Sequence, residues 1–294
     1  MPISLEFQEH LDSGVTTLAH AWSITRADGT RYGFTDHDRA LEFEGLVFRP
    51  DTGLSALALQ QSTGLSVDNT EAMGALTDAA LTEADIEAGR YDGAEVVAWR
   101  VNWADVSQRT ALFRGTIGEI RRGDGAFHAE IRGLSALLNR PLGRVYQKPC
   151  TAVLGDAACG VDLDAPGYVT DVFPLAIDGR RTFYFAPLGG FDAEWFKRGS
   201  LEVLLGAAKG LTGAIKRDET LDGQRVIELW EPLRAEIIAG DQVRLRAGCD
   251  KRFDTCRLKF ANVLNFQGFP DIPEDDWVML HPSRAADLSG GSRR

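Results

Sequence analysis

Five Asp-Gly pairs punctuate this chain, at Asp28-Gly29, Asp92-Gly93, Asp124-Gly125, Asp178-Gly179 and Asp222-Gly223, each between or beside runs of alternating apolar residues. A two-residue type I′ hairpin needs positive φ at both central positions, and Asp-Gly is among the few pairs that accept it. The flanking runs agree with that reading. Leu18, His20, Trp22 and Ile24 share one face of a predicted strand, and Tyr32 and Phe34 follow the first turn. Val97, Trp99, Val101 and Trp103 alternate after the second turn, Phe127, Ala129 and Ile131 after the third, and Val226 to Trp230 after the fifth. Period two with one apolar face describes half-buried strands. The expected fold class is mainly β, with antiparallel barrel or sandwich domains and a few short helices.

The helical signals are short. Thr82 with Asp85 three residues on has the form of a capping box, with Gly89 as its stop. Ser135 to Asn139, before Pro141, and Asp192 to Lys197, before Gly199, are the other candidates. At 294 residues the chain is long enough for one large or two ordinary domains. The loop-like stretches NRPLGRVYQKPC and GDAACGVDLDAPG set a boundary in the region 140–165. The tail from Arg284, within SRAADLSGGSRR, is small and polar.

The N-terminus lacks a basic segment followed by an apolar one, and no apolar run approaches the ~20 residues of a membrane span. A chain made in the bacterial cytoplasm, with no membrane segment, is expected. There, four cysteines read as a metal or redox site before they read as disulfides. They come as Cys150-x8-Cys159 and Cys249-x6-Cys256, about ninety residues apart. Two loops that each supply two thiolates can close a four-ligand site. Gly155, Gly160 and Gly248 lie within or beside the pairs, where glycine lets backbone approach a cluster closely. An iron–sulfur cluster, structural zinc, disulfides and unrelated buried thiols all stay open on these grounds. Zinc ligand pairs usually stand two to four residues apart, which neither pair here does. The histidines His10, His20, His37, His128 and His281 are remote in sequence from both pairs, which favours all-thiolate ligation.

Other strings point away from catalysis. Thr35-Asp36-His37-Asp38 could orient a general base or bind a divalent ion, but no activated nucleophile lies near it in sequence; its alternative is to cap backbone at a strand end. Ser62, Ser66 and Ser135 lack nucleophile-elbow glycines, and there is no phosphate-cradling glycine loop. The formal net charge of −11 argues against a duplex-binding surface. Lys251, Arg252, Arg257 and Lys259, set among the second cysteine pair, are read as offsetting thiolate charge rather than binding phosphate.

Three stretches carry a resemblance: YGFTDHDRALEFEG with GLSVDNTEAMGAL and YDGAEVVAWRVNW, then CTAVLGDAACGVDL, then AGCDKRFDTCRLKFANVLNFQGFPDIP. Together they resemble the phage-conserved tail hub family of siphophage-type tails, prophages and gene transfer agents. The cysteine spacing is also similar to that of the lambda tail tip protein, whose C-terminal region holds a [4Fe–4S] cluster. The resemblance implies Cys150, Cys159, Cys249 and Cys256 as ligands of a [4Fe–4S] cluster, with zinc the alternative occupant. It implies an N-terminal hub domain over 1–145 and a cluster-binding domain over 146–283, with an inserted subdomain at about 165–246 and a tail over 284–294. It also implies a non-enzymatic homotrimer at the tail tip or baseplate, set between the distal tail protein ring and a central fibre or baseplate protein. The tape measure protein or a tail peptidase would be further neighbours, and DNA would pass through the lumen without specific binding. A redox or cell-wall-degrading enzyme of the particle is the competing class.

Overall fold

The computed structural model of the protein describes residues 3–50, 55–56, 69–74, 82–123, 126–133, 143 and 145–272. The chain divides into two compact units, Met1–Pro141 and Leu142–Arg294, each built on its own antiparallel sheet.

The first unit opens with α1 (Leu5–Asp12), capped by Ser4, whose hydroxyl accepts from the backbone N–H of Phe7. Its strands are β1 (Leu18–Thr25), β2 (Arg31–Thr35), β3 (Leu41–Phe43), β4 (Leu46–Phe48), β5 (Ser55–Ala56), β6 (Asn69–Gly74), β7 (Glu95–Asn102), β8 (Arg109–Gly123) and β9 (Ala126–Gly133). They form a seven-stranded sheet in the order β2-β1-β7-β8-β9-β6-β5, while β3 and β4 pair as a separate hairpin. Helix α2 (Glu83–Glu87) precedes β7, with Thr82 as its cap and Gly89 at φ 72° just beyond it, as expected.

Strand β7 is apolar on both sides. Val97, Trp99 and Val101 pack with Phe43 and Phe48 of the β3–β4 hairpin, while Val96 and Ala98 pack with Tyr91, Phe113 and Ile117. Strand β1 differs from its expected polarity. Its most buried residues include Ala19, Ala21 and Ser23, whereas Leu18, His20 and Trp22 are only half-buried. Ala19 and Ala21 pack with the β3–β4 hairpin, while Ile24, with Trp22 against it, joins the core on the other face.

The second unit contains β10 (Val169–Val172), β11 (Ala176–Asp178), β12 (Thr182–Phe185), β13 (Ser200–Val203), β14 (Thr212–Leu221), β15 (Gln224–Leu229) and β16 (Val243–Arg246), then α3 (Phe253–Leu258) and a 3-10 turn at Val263–Asn265. The sheet order is β10-β16-β13-β14-β15-β12-β11. Phe183, Phe185, Phe196, Leu201, Ile215 and Leu245 are among the fully buried side chains of its core. No ladder joins β2 to β5 or β10 to β11, so among the described residues neither sheet closes into the barrel that was one of the two expected forms. The mainly β, antiparallel expectation holds.

The Asp-Gly signals resolve individually. Asp222 (φ 49°) and Gly223 (φ 77°) form the expected two-residue turn, pairing Leu221 with Gln224. At Asp178-Gly179 the positive-φ pair lies one residue later, at Gly179 and Arg180, still joining β11 to β12. Gly29 alone takes positive φ in a longer loop between β1 and β2. Asp92-Gly93 leads from α2 into β7 and makes no hairpin. Positions 124–125 lie outside the described residues, although Gly123 pairs with Ala126 across them. Residues Asp192 to Lys197 form turns, not a helix: Glu194 at φ 58° breaks the α-helical path. Ser135 to Asn139 and the tail over 284–294 fall outside the described residues.

Candidate metal centre

All four cysteines lie in the second unit, at the base of its sheet. The strands β10 to β16 occupy the chain between Cys159 and Cys249, so the sheet returns the second cysteine loop toward the first. Two further contacts close that base. Cys150 N–H donates to the carbonyl of Lys251 at 2.9 Å, and Phe269 N–H donates to the carbonyl of Gln147 at 2.9 Å. The Thr151 hydroxyl adds a bond to the Gln267 carbonyl at 3.1 Å.

Each thiol is placed by a local device. Cys159 ends a loop organised by Asp156, whose carboxylate accepts from the N–H groups of Val153 at 2.9 Å and Cys159 at 2.7 Å. Those two bonds, Cys159's foremost, hold the Asp156 carboxyl below its usual pKa. Cys256 sits on α3 and is buried. Cys249 follows Gly248, which has no room for a side chain: an added Cβ would lie 1.8 Å from the Lys197 carbonyl oxygen. Gly248 is therefore required by a backbone crossing with the 195–199 turn.

The four thiols line one small, partly open cavity. Ala152, Leu154, Val161, Phe260 and Phe266 give it apolar walls, and Lys251 and Arg252 stand at its lining as cations. Three sulfurs accept hydrogen bonds: Cys150 from Gln267 N–H at 3.4 Å, Cys249 from Lys251 N–H at 3.3 Å, and Cys159 from the Asn262 side-chain amide at 3.8 Å. The fourth, Cys256, donates its S–H to the Asn262 carbonyl at 3.2 Å. Burial raises the Cys249 pKa. Cys256 is pushed up to about 11, first by burial and then by its three neighbouring cysteines. Those mutual charges express how near the four groups stand.

Among the described residues, no three His, Cys, Asp or Glu side chains gather closely enough to hold one metal ion. A lone tetrahedral zinc needs every sulfur about 2.3 Å from a single point. A polynuclear iron–sulfur core instead fills a volume between thiolates that stand apart. The free thiols lining the cavity and the N–H groups aimed at sulfur suit a thiolate-ligated group.

Asn262, Gln267 and Asp156 were not singled out as supporting residues from sequence, although the first two lie in the FANVLNFQGFP string. Helix α3 was also missed. The cations there divide by role. Lys251 donates to the Ala152 carbonyl at 2.5 Å, tying the two cysteine loops together, while Arg257 pairs with Asp254 at 3.1 Å on the exposed side of α3.

The Asp36-His37-Asp38 string is engaged locally. Asp36 accepts from the His20 backbone N–H at 2.6 Å and pairs with its ring at 3.0 Å, and His37 stacks near Trp103 with centroids 5.1 Å apart. This is strand-end capping, the alternative weighed from sequence.

A family model described as "Baseplate hub protein, N-terminal attachment domain" matches residues 4–162. A second, "Phage conserved hypothetical protein BR0599", matches residues 194–276. No curated protein matches. Among solved structures, a chain from "Virion of native gene transfer agent (GTA) particle" is similar at 52% identity and a TM-score of 0.88, over 98% of this chain and 99% of that chain. No helix among the described residues is long and apolar enough to cross a membrane.

Proposed function

The chain belongs to the baseplate hub protein family of phage-type tails, and on that premise we propose that it is the structural hub of a phage-like or gene-transfer-agent tail, stabilised by a [4Fe–4S] cluster on Cys150, Cys159, Cys249 and Cys256. The observation that carries the cluster is the convergence of four free thiols, from two loops about ninety residues apart, on one apolar-walled cavity. Zinc is the alternative occupant; its ligand pairs usually stand two to four residues apart, which neither pair here does.

The cluster's contribution is architectural: when bound it supplies four bonds that crosslink the loops in a reducing compartment, where disulfides do not persist. The chain's own residues do the rest. Gln267, Lys251 and Asn262 direct N–H groups at sulfur, which stabilises the thiolate form. In the particle the protein is read as a homotrimer joining the distal tail ring to the central fibre, with the tape measure protein or a tail peptidase nearby. Its formal charge of −11 suits a wall past which DNA moves without being held.

Protein purified without oxygen should be brown and contain about four iron and four sulfide per chain. Cys249→Ser should lose most of both. A colourless protein with one equivalent of zinc would retain the four-thiolate site and reject the iron assignment.

A further inference from the structure

Lys259 is a half-buried cation packed against two aromatic rings. Its ammonium donates to two main-chain carbonyls, Trp195 at 2.5 Å and Gly248 at 2.8 Å. It also lies over the Trp195 ring at 4.3 Å from the centroid and near the Phe260 ring at 5.4 Å. Burial pulls its pKa down to about 8, against the opposing pull of Cys249 and nearby carboxylates. The groups around it form a closed set. Gly248 N–H donates to the Trp195 carbonyl at 3.0 Å, the Trp195 indole N–H donates to the Gly167 carbonyl at 3.1 Å, and the Tyr168 hydroxyl donates to the Lys259 carbonyl at 3.2 Å.

Lys259 thus joins the segment after α3, the helix that carries Cys256, to the end of β16 that runs into Cys249 and to the turn at 195, which is far from both in sequence. One cation fixes the carbonyl immediately before Cys249, and it does so from three residues beyond Cys256. An uncharged side chain of the same length would take the ammonium from the Gly248 carbonyl and leave the Trp195 carbonyl only the Gly248 N–H, in a half-buried site.

We propose that Lys259 is a positioning residue for the cysteine site: its ammonium latches the Gly248–Cys249 backbone to the Trp195 turn, so that Cys249 is held in place before any group binds. The role assigned to the thiols rests on the cluster reading above; the latch itself is a property of the chain.

The test compares wild type, Lys259→Met, Lys259→Arg and, as a control cation on the exposed side of α3, Arg257→Met. In iron-free, reduced protein, the alkylation rate of each cysteine by iodoacetamide is read by peptide mass spectrometry. Lys259→Met should raise the Cys249 rate about tenfold while leaving Cys159 within twofold of wild type. Lys259→Arg, which keeps charge and donors, should recover part of the protection, and Arg257→Met should change nothing. An unchanged Cys249 rate overturns the latch. So does an equal rise at all four cysteines, which would mean that Lys259 supports the unit at large. In anaerobically purified protein, loss of iron to a chelator should accelerate in Lys259→Met and not in Arg257→Met; equal rates overturn the latch's bearing on the site. If wild type holds no iron or sulfide, the cluster reading fails, and the alkylation pattern still decides the latch.

Discussion

Asp218 has no exposed surface and accepts three bonds, from the Phe196 backbone N–H at 2.7 Å and from two guanidinium nitrogens of Arg225. Arg225 in turn donates to the Asp192 and Phe191 carbonyls and lies over the Phe196 ring. Removing one partner strands the other charge, so Asp218→Ala should cost about 3–5 kcal/mol in denaturant unfolding. Replacing both by apolar residues of similar volume should cost far less. A partly exposed pair behaves differently. Arg244 holds Asp171 through two bonds of 2.7 and 2.8 Å and lowers its pKa from 3.8. A carboxyl with a depressed folded pKa stabilises above its unfolded value, and that benefit is lost as pH falls through the folded one. Both side chains are about a third exposed, so the term should stay below about 1 kcal/mol. The gap in urea midpoint between wild type and Asp171→Asn, present at neutral pH, should therefore close as pH falls below the ordinary carboxylate range.

The β3–β4 hairpin covers one face of the first sheet with few residues. Phe43 and Phe48 stack at 4.0 Å between centroids, and both meet Trp99 edge-on at about 5.5 Å. Phe48 is fully buried, and Phe48→Ala should cost about 3–5 kcal/mol, read as a lowered thermal midpoint of the first unit. The same hairpin shows what sequence could and could not convey. Asp222-Gly223 was legible because both residues tolerate positive φ. Glu44-Gly45 adopts the same geometry, at φ 52° and 64°, but Glu is not a turn residue and gave no signal. Helix α3 was invisible because six residues are too short for a periodic pattern, and its place follows from tertiary packing around Cys256. The stretch at Asp192 was over-read as helix because good helix formers there yield to the carbonyls that Lys259 and Arg225 draw inward. For the site, the four cysteines were legible as a set from type and compartment. Their convergence was expected from the two local pairs, and the residues that support it were not, since no local rule states where a seven-stranded sheet will return its ends.

At the scale of the molecule, every residue that lines the cysteine cavity belongs to the second unit. On the proposed cluster reading, removing iron from reduced protein should therefore lower amide-exchange protection in 147–160 and 247–269 and leave β7 and β8 unchanged. Equal loss in both units would argue that the site supports the whole chain. The sheet strung between Cys159 and Cys249 also has a meaning in time. A chain is synthesised from one end, so the first two thiols leave the ribosome together, and Cys249 follows about ninety residues later. At 5–20 residues per second that is a delay of roughly 5–18 s. For a cluster-bearing hub, the danger from oxidants is concentrated in that interval, when two thiols have emerged and their partners are not yet made.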